Sequence, residues 1–200
     1  MTKPLIFTGG VLADGFYAVA VVWAVYEGVT RMLQRVRAGH RTLISLSDAT
    51  VFAAGGGIAA SVVVSIELGR HAGVNWPGGR AWPVVVGIVL IAAGLAMRLW
   101  SVVALGRFFQ YQIEIQTGHR VVTTGPYRYV RHPSYTGMAL VTLGFAFGSG
   151  DVLSLPAVLI LTGVGLAVRI RAEEKQLVAA LGTEYEDFAA HHKRLIPGVI

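Results

Sequence analysis

The residues best equipped for chemistry fall in two stretches. The first runs from Gln112 to Tyr135 and reads QIEIQTGHRVVTTGPYRYVRHPSY. Three tyrosines, three arginines and two histidines crowd into its last seventeen residues. Arginine and histidine recognise carboxylates and phosphates through charge-assisted hydrogen bonds, and tyrosine rings attract cations. Gly125-Pro126 is a turn signal, and Pro133 suits the first turn of a following helix. His132 then lies beside a helix N-terminus, whose N–H groups favour an anionic ligand. The second stretch is Arg169-Ile170-Arg171-Ala172-Glu173-Glu174-Lys175-Gln176-Leu177. On a helix, Arg169 and Glu173 share a face, as do Arg171 and Lys175. The plainer reading is an interfacial belt of Tyr and Arg at headgroup level, followed by surface ion pairs worth about 0.3–0.5 kcal/mol each. The density of polar groups favours a site instead. Arg169 also falls at a membrane boundary, where a charge is costly unless it pairs or binds.

That boundary follows from composition. Of 200 residues, 54% are hydrophobic and 14% charged, with a mean hydropathy of +0.60. A soluble domain carries about 25% charged residues, so most of this surface faces lipid. A soluble enzyme and a disordered chain are both excluded. The absence of cysteine removes disulfides, thiolate metal sites and thiol nucleophiles, and no metal is expected. The net charge of +6 marks membrane orientation rather than a nucleic-acid partner.

A membrane core of about 30 Å requires roughly 20 apolar residues in a helix. Five stretches meet or approach this: Val11 to Leu33, Ala49 to Ile66, Trp82 to Leu105, the shorter Tyr135 to Gly148, and Val152 to Val168. Ser149, Gly150 and Asp151 leave room only for a tight helical hairpin between the last two. Asp14 inside the first stretch argues against a cleavable signal peptide, so that stretch is retained as a span. Thirteen of the seventeen Lys and Arg cluster after spans one, three and five, against Lys3, Arg70 and Arg80 on the other side. The expected architecture is therefore all-α: a polytopic membrane protein with five transmembrane helices, its N-terminus outside and a C-terminal amphipathic helix in the cytosol. Residues 1–105 supply three helices around a lipid-facing substrate region. Residues 106–200 supply the polar loop, the hairpin and the cytosolic helix.

Smaller features complete the reading. Arg98, inside span three, is close enough to the inner boundary to snorkel there and can pair with Glu27 on the same side; a structural pair is the plainer reading and a part in the substrate pocket the other. Gly55, Gly56, Gly57, Gly144 and Gly148 read as close helix packing. Leu177, Leu181, Tyr185 and Phe188 form a partial apolar stripe that packs back on the polar loop, with Gly182 as an interruption. Richness in Ala, Gly, Val and Arg points to a bacterial plasma membrane, with the site facing the cytosol.

Val121-Val122-Thr123-Thr124-Gly125-Pro126-Tyr127, then Arg131-His132-Pro133-Ser134-Tyr135-Thr136-Gly137, a hairpin, and Glu173-Glu174-Lys175-Gln176-Leu177 together resemble the isoprenylcysteine carboxyl methyltransferases. The related phospholipid N-methyltransferases share the pattern. Gly182, Tyr185, Phe188, Arg194 and Pro197 continue it, so the resemblance covers residues 105 to 198. It implies S-adenosylmethionine bound without a Rossmann fold. By position, Gln112, His119, Arg120, Val121, Val122, Tyr127, His132, Pro133, Ser134 and Tyr135 would contact the cofactor. Glu173 would be its acidic contact and Arg169 would face the substrate, making Arg169 and Glu173 the catalytic pair.

Methyl transfer is an in-line displacement that needs alignment and a desolvated nucleophile. A carboxylate acceptor is already ionised, so the expected reaction is carboxyl methylation of a lipophilic, isoprenylcysteine-type or otherwise lipidated substrate drawn from the membrane lipid. An amine acceptor would need a base, with Glu173 or Glu174 nearest, which keeps phospholipid or amine N-methylation as an alternative. A sterol-type reductase using NADPH and a non-catalytic membrane scaffold are the other readings.

Overall fold

The computed structural model describes residues 3–38, 46–71, 74–106 and 121–198. Six α-helices account for most of them: α1 (Val11–Ala38), α2 (Leu46–His71), α3 (Ala81–Leu105), α4 (Pro133–Gly148), α5 (Ser154–Leu181) and α6 (Thr183–His191). Short 3-10 turns occupy Leu5–Phe7 and Gly125–Arg128. Among the described residues the only β pairing is two isolated bridges, Asn75 with Asp151 and Val130 with Lys193. The described residues are thus all-helical in their regular structure, as the apolar runs predict.

Five long helices stand where the five apolar stretches lie. Among the described residues, three stretches are long and apolar enough to cross a membrane: Val11–Leu33, Ala81–Leu105 and Ser154–Leu181. Helix α4, at 16 residues, reaches only about 24 Å at 1.5 Å per residue. Helix α5 continues well past the apolar run ending at Val168, carrying Arg169 to Leu177 on one unbroken helix.

Glycine contacts decide which helices are neighbours. Helix α3 packs chiefly on α4 and α2 on α5. A Cβ on Gly94 would stand 2.5 Å from the Gly137 carbonyl oxygen, and one on Gly87 2.7 Å from that of Gly144. The two pairs are seven residues apart on both helices, so one glycine seam lets the α3 and α4 backbones touch. On the other pair, a Cβ on Gly57 would meet the Leu161 carbonyl at 2.7 Å, and Ser61 hydrogen-bonds Thr162 across the interface at 2.8 Å. The packing expectation holds for Gly57, Gly144 and Gly148 but not for Gly55 and Gly56, which face open space. They lie off the stripe of α2 that meets α5.

Two apolar clusters fill the bundle. Phe16, Val84, Ile91, Val141 and Phe145 join α1, α3 and α4, and Ile58, Met138, Leu166 and Ile170 join α2, α4 and α5. At the end of the bundle away from Arg169, Asp151 fixes the hairpin turn. Its carboxylate accepts the Val74 and Leu153 N–H groups, both at 2.9 Å. Trp76 stacks on Phe147 at 4.7 Å there, with Trp82 edge-on, as suits a membrane interface.

Candidate functional site

The opposite end gathers the polar residues. Pro133 begins α4 with His132 as its N-cap, as the sequence predicts. The chain after α6 then runs beside this corner. Arg131 N–H donates to the Lys193 carbonyl at 2.8 Å, His132 N–H to Arg194 at 2.9 Å, and the Thr136 hydroxyl to Leu195 at 2.8 Å. Gly182, at φ +55°, stops α5 and turns the chain into α6, which buries Tyr185 and Phe188. The stripe therefore packs back on the polar loop as expected, but through two helices, with Leu177 and Leu181 only half-buried.

Tyr135, one turn into α4, meets α5. Its hydroxyl donates to Glu173 Oε2 at 2.5 Å and accepts from Arg169 Nε at 3.2 Å. Arg169 is buried, and its Nη1 donates to the Thr50 hydroxyl of α2 at 2.8 Å. His132 stacks against Tyr135 with ring centroids 5.6 Å apart, its Nδ1 3.9 Å from Glu173. The pair Arg169 and Glu173 does share one face, with Tyr135 between them. Tyr127 is buried nearby, and burial together with the Glu173 carboxylate pushes its hydroxyl above the usual range.

Glu174 anchors the corner from the adjoining face of α5. It receives Arg131 Nη1 at 2.9 Å, Arg194 Nη2 at 2.7 Å and His132 Nε2 at 3.3 Å. The carboxylate in turn holds Arg194 firmly protonated. With three cationic or hydrogen-donating partners, Glu174 is a clamp on the α4 N-terminus and not a free base. Burial, with the Glu174 carboxylate adding to it, raises Tyr185 in the same corner.

Ser134 points inward. Its hydroxyl accepts from Arg98 Nη1 at 2.6 Å, and the Arg98 guanidinium is paired in two-fold fashion with the Glu27 carboxylate, one Nη2–Oε2 bond being 2.8 Å. Arg98 is 1% exposed; it pairs and does not snorkel, because Glu27 of α1 meets it inside the bundle. Pro133 is buried at the helix start. Val121 and Val122 are half-buried, and the Val121 N–H is taken by Glu184 of α6 at 3.0 Å. Gln112, His119 and Arg120 lie outside the described residues. Sequence reasoning missed Thr50 and the clamp formed by Glu174. Two arginines, Arg131 and Arg194, beside the ring of His132 were the signal that a carboxylate had to stand among them.

The residues present fit S-adenosylmethionine by their chemistry. Glu173 spends one oxygen on Tyr135 and keeps its side chain 27% exposed, so it can accept from an ammonium or a ribose diol. Tyr127, His132 and Tyr135 supply aromatic faces beside it, suited to adenine or to a sulfonium.

Comparison with known proteins matches a segment that includes this corner. The model of the isoprenylcysteine carboxyl methyltransferase (ICMT) family matches residues 85–179. A probable protein-S-isoprenylcysteine O-methyltransferase of Oryza sativa subsp. indica is 34% identical over 106 residues, covering 52% of this chain and 56% of the relative. Protein-S-isoprenylcysteine O-methyltransferase B of Arabidopsis thaliana is 29% identical over 130 residues, 63% of this chain and 66% of the relative. The uncharacterized protein YpbQ of Bacillus subtilis is 29% identical over 97 residues, 48% and 57% of the two chains. The chain thus spans between about half and just under two thirds of the length of these relatives. The matched segment holds the glycine seam of α3 and α4, the His132 corner and the Arg169–Tyr135–Glu173 group. Over residues 85–179, just under half of its length, the chain is similar to the isoprenylcysteine carboxyl methyltransferase family.

Proposed function

We propose that this protein is an integral membrane methyltransferase that takes its methyl group from S-adenosylmethionine and transfers it to the carboxylate of a lipophilic, isoprenylcysteine-type acceptor. The observation that carries this reading is the Arg169–Tyr135–Glu173 group, in which a buried cation and a part-exposed carboxylate on one helix face are bridged by one hydroxyl. The relatives named as isoprenylcysteine O-methyltransferases support it.

When bound, S-adenosylmethionine supplies an electrophilic methyl on a sulfonium. Glu173 holds the cofactor's ammonium or diol, and Tyr135 keeps that carboxylate oriented. His132, with Pro133, Ser134 and the N–H groups of the first turn of α4, gives the cofactor carboxylate an electropositive end. By the resemblance, Gln112, His119, Arg120, Val121, Val122 and Tyr127 would add further cofactor contacts. Arg169 would hold the acceptor carboxylate through one oxygen in exchange for its Thr50 hydrogen bond, leaving the other oxygen free to take the methyl as S-adenosylhomocysteine departs. No general base is required, because a carboxylate is already ionised at neutral pH. The clamped state of Glu174 removes one of the two bases that an amine acceptor could use.

In this reading all five long helices span the membrane, with the N-terminus outside and the site at the inner boundary of a bacterial plasma membrane. The three helices of residues 1–105 shape the lipid-facing acceptor region, and residues 106–200 hold the cofactor. The acceptor enters sideways from the bilayer and the cofactor from the cytosol. Calorimetric titration of the detergent-purified protein with S-adenosylhomocysteine and with NADPH tests the proposal. Binding of the first alone is expected; binding of NADPH alone would replace the methyltransferase with a reductase.

A further inference from the structure

A cleft of about 350 Å³ runs between α4 and α5, and neither Arg169 nor Glu173 lines it. Its volume lies in the range of ligand sites, roughly 300–1,000 Å³. Its walls are apolar, including Leu143, Leu159 and Leu166, and one end is bordered by Arg171 and Arg194. His132, Tyr135, Arg169 and Glu173 do not line it, and it shares only Arg194 and Leu195 with the corner described above.

The cleft opens outward. Leu159 is 57% exposed, beside Ile160 and Val164 on the same outward side of α5. Gly163 faces open space at its floor. An apolar trough on a membrane-spanning helix is filled by hydrocarbon, and what singles out its occupant is the charge at one end. Arg171 is exposed and makes no hydrogen bond or ion pair among the described residues. Arg194 gives Glu174 two of its nitrogens, yet its side chain remains 47% exposed. Two guanidinium groups therefore sit over an apolar trough with one carboxylate, Glu174, between them and the interior. The complementary ligand has a single anionic head and a long hydrocarbon tail.

We infer that the α4–α5 cleft binds one anionic membrane phospholipid, its acyl chain along Leu143, Leu159 and Leu166 and its phosphate on Arg171 and Arg194. Guanidinium matches phosphate geometry and is always charged. The lipid phosphate also completes the charge balance around Arg194, whose other side anchors Glu174 and through it the His132 corner. The inference rests on the helices lying in a bilayer, not on the identity of the methyl acceptor.

Native mass spectrometry of the full chain, released from mixed micelles containing equal phosphatidylglycerol and phosphatidylcholine, tests this. The wild-type protein should retain one phosphatidylglycerol with at least a fivefold preference. Arg171→Gln should lower that preference about fivefold, the factor expected for one arginine at an anionic lipid surface. Gly163→Leu, a side chain placed in open space, should abolish retention of both lipids while helical circular dichroism and thermal midpoint stay unchanged. Equal retention of the two lipids, or a preference untouched by Arg171→Gln, would overturn the inference. So would preferential retention of an added S-prenyl thioether over both phospholipids, which would make the cleft an acceptor channel. The calorimetric binding of S-adenosylhomocysteine is read independently, so failure here leaves the methyltransferase reading standing and the reverse also holds.

Discussion

The Tyr135 hydroxyl lies between Arg169 and Glu173, donating to the carboxylate at 2.5 Å and accepting from the guanidinium at 3.2 Å. A hydrogen bond to a charged group contributes about 1.5–3 kcal/mol, and this hydroxyl makes two. Tyr135→Phe keeps the ring stacked on His132 and removes only the oxygen. It should lower kcat/KM about 10- to 100-fold and weaken S-adenosylhomocysteine binding less than that. Steady-state kinetics with calorimetry separates the two effects, and wild-type kinetics in the variant would refute the bridging role.

The two ends of that bridge should separate cleanly. Arg169→Ala is expected to lose turnover by more than 100-fold while S-adenosylhomocysteine affinity stays within threefold. Arg169→Lys should recover little, because an ammonium cannot hold Tyr135 and an acceptor carboxylate in one plane. Glu173→Gln should instead weaken S-adenosylhomocysteine binding about tenfold or more. Loss of cofactor binding in Arg169→Ala, or full affinity in Glu173→Gln, would exchange or cancel the assigned roles.

Much of this arrangement was legible in the sequence, and what escaped it has a common physical cause. The four-residue spacing of Arg169 and Glu173 fixes their shared face once α5 continues past Val168, and the apolar runs locate the five long helices. Pro133 and Gly182 announce a helix start and stop through backbone geometry alone. What no local pattern encodes is which helices are neighbours. Thr50 reaches Arg169 from α2, and Glu174 collects Arg131 from before α4 and Arg194 from beyond α6. Glu173 and Glu174 are adjacent and chemically identical, yet one faces Tyr135 and the other the cation cluster, a difference set only by packing. Ser134 shows the same limit, since its motif position says nothing of the Arg98 beneath it.

Glu174 holds three partners, so its removal should be structural before it is catalytic. Glu174→Ala leaves Arg131, His132 and Arg194 facing one another without a counter-charge. Breaking one side of a buried ionic group costs about 3–5 kcal/mol, and thermal unfolding in detergent should begin correspondingly earlier. Arg194→Ala should cost much less, about 1 kcal/mol or below, because that side chain is half-exposed and solvent screens it. Differential scanning fluorimetry ranks the two; equal losses would show that Glu174 is not the common anchor.

Alkaline pH should act through the same corner. Tyr127 and Tyr185 are both raised above the ordinary value by burial, with a nearby carboxylate adding to it. A group whose folded pKa exceeds its unfolded one contributes stability below the unfolded value, about 10 for tyrosine, and loses it as pH rises toward the folded one. Stability should therefore fall steadily above about pH 10, and the slope should be shallower in Tyr185→Phe. An identical slope in that variant would place the alkaline transition elsewhere.

The Glu27–Arg98 pair ties the first helix to the N-terminus of α4, and a double-mutant cycle can tell whether it serves more than stability. Both side chains are buried, and the guanidinium reaches Ser134 as well as the carboxylate. Arg98→Met alone strands the Glu27 carboxylate in the bundle and should destabilise by about 3–5 kcal/mol. Adding Glu27→Gln should recover most of that loss, because no charge is then left buried. If the pair also positions the α4 turn, the double variant will regain its thermal midpoint but keep a weakened affinity for S-adenosylhomocysteine, since Ser134 has lost its donor. Recovery of both quantities together would assign Arg98 to the packing of α1, α3 and α4 alone.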